Sequence, residues 1–392
     1  MMTDASAFIP LSEPALRGNE LVYLKECVDT NWVSSAGPFV ERFEREIAAY
    51  CSVKHAVATV NGTAALHIAL ILAGVKADEE VIVSDLTFIA PANAVRYVGA
   101  HPVFMDAGPD FWQMDPQKLK DFLEKECRWS GGALWNRTSG RRVRAVIPVH
   151  ILGHPVDMDP LIELAGKYGL VVIEDSSEAL GTKYKGRAPG SIGKIGCLSF
   201  NGNKIITTGG GGMILTDDEG LAKKARHLTT QAKSDPVEYT HDEIGFNYRM
   251  PNVLAAIGCA QLESLDGYVK TKRQIADRYS DPLSRVSGVR VPAEAGWARS
   301  TFWLYTVELD EQSYGMEARS LMKRLAALNI QTRPLWQPMH LSPVHHGSQA
   351  YRCEVSERLW RRALSLPSSV GLADMPGGQE RVIGAIAAAA RA

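Results

Sequence analysis

The chain has no apolar run approaching the roughly 20 residues of a membrane-spanning helix. Residues 1–10 hold no basic stretch followed by an apolar one, so no secretory leader is expected. The six cysteines among 392 residues are scattered. None forms a C-x-x-C pair that would suggest a zinc site, and their spacing is not a disulfide framework; no metal centre is expected. Reduced thiols and a cytoplasmic location are the expectation. Excess charge is lacking as well. With 43 Lys and Arg against 44 Asp and Glu, the net charge is −1, which gives no electrostatic footprint for nucleic acid. No internal repeat or low-complexity linker is visible beyond the alanine-rich residues 385–390. What is present is an ordinary globular composition, 45% apolar and 22% charged. It is long enough for one large domain with a smaller one appended.

The pattern along the chain sets the fold class. Residues 55–60, 80–84, 101–106, 144–150 and 170–173 read as short apolar strands, and helical periodicity fills the spaces between them. Alternating strands and helices predict an α/β fold with a mostly parallel central sheet and helices on both faces. Residues 127–144, rich in Gly, Ser and Arg, read as a loop or hairpin inserted into this pattern. Helices are expected at 252–265 and, separately, at 269–283. From there the character changes to a smaller α+β C-terminal domain. The expected division is residues 1–267, a large domain with an N-terminal arm, and residues 268–392.

Two stretches carry chemistry. Lys204 follows Ser199 by five residues and precedes four glycines, Gly209 to Gly212, with apolar residues on both flanks. An amine held away from water favours its neutral form, which can condense with an aldehyde or ketone. A glycine-rich turn bearing an exposed lysine is the plain alternative. The second stretch runs from a short apolar strand straight into Glu174 and Asp175. Acids at the C-terminal end of such a strand lie where open α/β sheets bind ligands. A helix cap ahead of Ser176 is the alternative for Asp175. A condensing lysine and an acid that keeps a pyridine nitrogen protonated are what pyridoxal phosphate requires. Asn61, Gly62 and Thr63 join a strand to a helix, and a helix N-terminus there would suit a phosphate or would simply be capped. His150 ends a strand and reads as a structural histidine rather than a catalytic one.

The motifs around Glu174, Asp175 and Glu178, the run from Ser199 to Lys204, and the glycines after it resemble the DegT family of sugar-nucleotide aminotransferases. The resemblance extends from about residue 10 to about residue 367. It implies the fold of the aspartate aminotransferases, pyridoxal-phosphate fold type I. It implies pyridoxal 5'-phosphate as cofactor and pyridoxamine phosphate as the form that carries the amine. Lys204 and Asp175 become catalytic. Gly62, Thr63, Ser199 and Asn247 become phosphate contacts, Phe88 the aromatic that lies on the cofactor ring, and Glu178 a neighbour of the ring hydroxyl. Glu178 stands where many relatives carry glutamine, so a carboxyl there must be protonated or paired. Arg249, Trp336 and His340 fall to the substrate end. A homodimer with shared active sites is implied, because the Gly245–Arg249 stretch reaches the neighbouring subunit in the family. L-glutamate and a nucleotide-linked ketosugar are the implied partners. Glu178, the lead-in to Lys204, residues 231–236 and the 127–144 insertion look most like enzymes that aminate UDP-2-acetamido-2,6-dideoxy-4-ketohexose at C4, of the legionaminic acid or bacillosamine type. A sugar dehydratase of the same fold carries histidine in place of Lys204. A non-catalytic regulator would not need Lys204, Asp175 and Ser199 together.

Overall fold

Short β-branched runs bounded by turns build the central sheet. The computed structural model describes residues 7–235 and 237–390. Residues 1–6, part of the stretch read for a leader, and Pro236 in the 231–236 loop lie outside the described residues. The strands in chain order are β1 (His55–Thr59), β2 (Glu80–Ser84), β3 (His101–Met105), β4 (Cys127–Ser130), β5 (Ala133–Asn136), β6 (Arg142–Ile147), β7 (Val171–Asp175), β8 (Lys183–Tyr184), β9 (Ile195–Ser199) and β10 (Gly212–Thr216). The sheet order is β1-β10-β9-β7-β6-β2-β3, and Ala350–Tyr351 adds to the β3 edge. Among these strands β10 alone runs against its neighbours β1 and β9, while β9, β7, β6, β2 and β3 pair in parallel. The C-terminal ends of the parallel strands therefore share one edge, where the expected site residues follow them.

Alternation along each strand explains why both faces are covered. Val81, Val83, Phe104, Ala145, Ile147 and Ile173 pack into one core, and Ile82, Val103, Val146 and Val172 into another. Side chains in a strand point alternately to opposite faces, so a strand apolar at every position must be buried on both. The helices α1 (Glu20–Asp29), α2 (Pro38–Cys51), α3 (Gly62–Leu72), α4 (Ala90–Tyr97), α5 (Pro116–Lys125), α6 (Met158–Lys167) and α7 (Glu219–Thr229) surround the sheet. Residues of α2, α3 and α7 contribute to the first core; α5 and α6 contribute to the other. The insertion is a hairpin: β4 pairs with β5, and β5 joins β6 at Leu134↔Val143 and Trp135↔Arg142.

The two helices expected at 252–265 and 269–283 are one helix of 33 residues, α8 (Asn252–Ser284). The compositional change near Tyr268 is not a break in the backbone. Leu265, Tyr268, Val269 and Lys272 continue a buried stripe at helical spacing. The division expected at 267/268 falls inside this helix, whose two halves serve two cores. Leu265 and Tyr268 pack with the main sheet, and Ile275, Tyr279 and Leu283 pack with the C-terminal region. There, Val289–Arg290, Tyr305–Leu309, Ala363–Leu366 and Arg333–Pro334 form an antiparallel sheet in that order. Ile9 of the N-terminal arm also packs into this second core. Among the described residues no helix is long and apolar enough to cross a membrane.

Candidate active site

A cavity of about 370 Å³ opens at the C-terminal edge of the parallel strands, within the size range of small-molecule sites. One wall is the N-terminus of α3, which starts at Gly62 in the strand-to-helix junction. Asn61 caps it by accepting the Ala64 amide at 2.7 Å. Among the described residues no acceptor takes the amides of Gly62 and Thr63. Ser199, at the end of β9, closes the same corner. A Cβ on Gly62 would lie 2.8 Å from the Ser199 Cβ, so only glycine lets helix and strand come this close. Two open amides, a helix dipole and a hydroxyl make a corner suited to an anion.

Lys204 lies across the cavity. Its Nζ is 3.4 Å from Glu178 Oε1 and 4.3 Å from the centre of the Trp303 ring. The other Glu178 oxygen accepts the Leu152 amide at 2.9 Å. Burial pushes the Glu178 carboxyl above its ordinary range, and the Lys204 amine opposes that rise. The sequence reading left Glu178 either protonated or paired; here it is paired and also drawn toward the protonated form. Asp175 ends β7 with one carboxylate oxygen accepting the Ser177 amide at 3.0 Å. Its second oxygen has no protein donor among the described residues. Phe88 is 56% exposed, so it is a cavity wall and not a core phenylalanine. Trp336 also lines the cavity.

Three expected residues lie elsewhere within the chain. Asn247 is exposed and is not part of the cavity wall. Arg249 pairs with the buried Glu44, which Arg226 also meets at 2.8 Å. His340 Nδ1 bonds Asp85 Oδ2 at 2.8 Å, and its Nε2 faces Glu357 at 3.5 Å. With Cys353, Asp85 and His340 bring an oxygen, a nitrogen and a sulfur within 4.8 Å of one another. His150 has the structural role read for it. Its Nε2 donates to the buried Glu174 at 3.0 Å and its Nδ1 accepts the Val156 amide. Sequence reasoning missed Trp303, which lines the cavity while its indole N–H donates to Asn203 O at 2.8 Å. A tryptophan beside a strand needs a partner for its N–H when buried, and that was the available signal.

The residues fit pyridoxal phosphate. The open amides and Ser199 suit a phosphate, the unpartnered Asp175 oxygen suits a pyridinium, Phe88 offers a flat ring, and Lys204 offers an amine. The sequence profile of the DegT/DnrJ/EryC1/StrS aminotransferase family matches residues 14–387. The chain is 42% identical over 375 residues to the putative pyridoxal phosphate-dependent aminotransferase EpsN of Bacillus subtilis, covering 95% of this chain and 93% of EpsN. It is 41% identical over 379 residues to GDP-perosamine synthase of Caulobacter vibrioides, covering 96% and 97%. The crystal structure of S. venezuelae DesV in complex with a ketimine intermediate superposes with a TM-score of 0.85 at 31% identity, over 95% of each chain. With a family profile matching residues 14–387 and relatives more than 40% identical over nearly its whole length, this protein belongs to the DegT/DnrJ/EryC1/StrS aminotransferase family.

Proposed function

We propose that the cavity transfers the amino group of L-glutamate to the C4 keto group of a nucleotide-linked 4-keto-6-deoxy sugar, for a surface glycan or nonulosonic acid. The observation that carries this reading is the meeting of Lys204, Asp175 and the α3 N-terminus in one cavity. Pyridoxal phosphate supplies an electron sink and the carbonyl that carries the amino group between donor and acceptor. Gly62, Thr63 and Ser199 hold its phosphate, and Asp175 holds the proton on its ring nitrogen. Lys204 Nζ takes the proton from the donor α-carbon and, in the second half of the cycle, delivers one to sugar C4. Glu178, within 3.4 Å of that amine, holds it in place and offers a nearby site for its proton. The rings of Phe88, Trp303 and Trp336 give the cavity apolar walls against which a flat ring can pack.

The Caulobacter relative is named for a GDP-linked amino sugar, which supports a GDP-linked acceptor beside the UDP-linked 2-acetamido sugar suggested by the sequence motifs. An assay of 2-oxoglutarate release from L-glutamate, run with both nucleotide ketosugars, tests the proposal. Turnover with either supports amino transfer and identifies the nucleotide. No turnover with any nucleotide ketosugar would sink it.

We further propose a homodimer whose sites are shared. The exposed Asn247, absent from its own chain's cavity, supports a role in a neighbour's.

A further inference from the structure

Lys272 is the buried cation that the chemistry above leaves unused. It sits in the middle of α8, 4% exposed. Lysine is almost never fully buried without a charged partner, and among the described residues no carboxylate lies within ion-pair distance of it. Its Nζ instead donates to two backbone carbonyls, Trp303 O at 2.9 Å and Ser368 O at 2.6 Å. Both belong to the C-terminal sheet region. Trp303 precedes the strand Tyr305–Leu309, and Ser368 follows its neighbour Ala363–Leu366, with Tyr305 opposite Leu366. Lys272 therefore ties the ends of two paired strands to the helix that runs between the two cores.

A neutral amine keeps two N–H donors, which matches two carbonyls. Burial lowers the Lys272 ammonium to about 7, in keeping with that state. A Met or Leu would fill the space without the cost of burying an amine, but would leave both carbonyls unpaired. What the hydrogen bond to Trp303 O secures is visible in the same residue. The Trp303 backbone is held by Lys272, its indole N–H is held by Asn203 O at 2.8 Å, and its ring lies 4.3 Å from Lys204 Nζ. The Trp303 ring is thus fixed at two points, and the reactive amine rests against it.

We propose that Lys272 is a positioning residue for the amino-transfer reaction: it fixes Trp303 and, through that ring, the place of the Lys204 amine. The proposal rests on the amino-transfer function proposed above, and its test separates the two. The first measurement needs no cofactor. The near-ultraviolet circular dichroism of the cofactor-free chain, minus that of Trp303→Phe, isolates the Trp303 signal. Lys272→Met should lose most of that signal while its far-ultraviolet spectrum stays that of the wild type. The second measurement is the single-turnover conversion of L-glutamate to 2-oxoglutarate by the pyridoxal phosphate-loaded enzyme. Lys272→Met should slow it at least tenfold, with the KM for L-glutamate within twofold. In a Trp303→Phe background the same substitution should change the rate less than twofold, because the ring it positions has already been replaced. A Lys272→Met chain with an intact Trp303 signal and an unchanged rate overturns the proposal. So does an equal loss in both backgrounds, which marks a structural role alone. If Lys272→Met does not fold, Lys272→Gln decides by the same readouts, and failure of both to fold overturns the proposal. If the wild type does not convert L-glutamate at all, the amino-transfer reading fails, while the dichroism measurement still decides whether Lys272 holds Trp303.

Discussion

Asp175 and Lys272 face opposite electrostatic problems. Asp175 ends a strand with one oxygen tied to the Ser177 amide and the other without a protein donor, so its charge is available to a ligand. Asparagine keeps the shape and the Ser177 hydrogen bond but removes the charge. Asp175→Asn should lower amino transfer by orders of magnitude and shift unfolding by less than about 1 kcal/mol. Steady-state rates and urea titrations check both halves of that statement. Lys272 carries a charge that burial disfavours, and this makes stability depend on pH. Its ordinary value is 10.5 and burial lowers it to about 7. Between those values the unfolded chain binds a proton that the native chain does not, so stability rises with pH across that window and is flat below it. The neighbouring groups on its helix are engaged: Arg273 pairs with Glu294, and the Tyr279 hydroxyl donates to Pro367 O. The wild type should therefore gain about 1.4 kcal/mol per pH unit between roughly pH 7.5 and 9.5 relative to Lys272→Met. Parallel urea-derived stability curves for the two proteins would show that Lys272 titrates normally.

At the scale of elements, the strands were the most legible part. β2 falls where its apolar run predicted, and β1 and β3 end within a residue of expectation, because a strand buried on both faces announces itself by unbroken apolar character. The start of α3 was less legible. Gly62 and Thr63 carry no apolar signal, and Asn61 was recognisable only as a cap. The single helix α8 was misread as two because its surface turns basic while its buried stripe continues through Tyr268 and Val269. The hairpin β4–β5 was foreseen as an insertion, but its position was not. It joins β6 at Val143 and Arg142, the strand end opposite Val149 and the cavity. It therefore does not line the cavity from within its own chain. Within the site, Lys204, Asp175 and Glu178 were legible because motif and position agreed. Trp303 was not, because its contact with Lys204 depends on a C-terminal segment folding back by about a hundred residues, which no local pattern records. The meeting of α3 and β9 at Gly62 is testable. Replacing a glycine by alanine gains roughly 0.4–1 kcal/mol by restricting the unfolded chain, but overpacking costs about 1–3 kcal/mol. With a Cβ at 2.8 Å from the Ser199 Cβ, the second effect wins. Gly62→Ala should lose net stability and bind pyridoxal phosphate about tenfold more weakly, a change of about 1.4 kcal/mol. Fluorescence titration with the cofactor measures the affinity. Unchanged affinity would place the phosphate elsewhere.

At the scale of the molecule, the proposal of a shared site rests on Asn247, which does not line its own chain's cavity. Asn247 is exposed, and exposed apolar side chains occur on nearby and N-terminal elements: Ile244 at 86%, Leu21 at 81% and Val28 at 64%. The proposed dimer would give such side chains a surface to pack on, and two-fold pairing would give two equivalent sites. Arg249 cannot be used to test this. It pairs with Glu44, itself only 6% exposed, and removing one partner of a buried pair costs about 3–5 kcal/mol on its own account. Asn247 carries no such burden. Asn247→Asp would place a carboxylate against the phosphate of a neighbouring site and abolish turnover there. Lys204→Ala abolishes turnover in the site that contains it. In a mixed dimer, the site with an intact Lys204 faces the chain with an intact Asn247. Equal mixing of the two inactive proteins, after subunit exchange is verified by mass-tagged chains, should restore about a quarter of wild-type turnover, since half the dimers are mixed and each holds one complete site. Exchange without recovered activity would mean that each chain completes its own site, and Asn247 would then be an ordinary exposed turn residue.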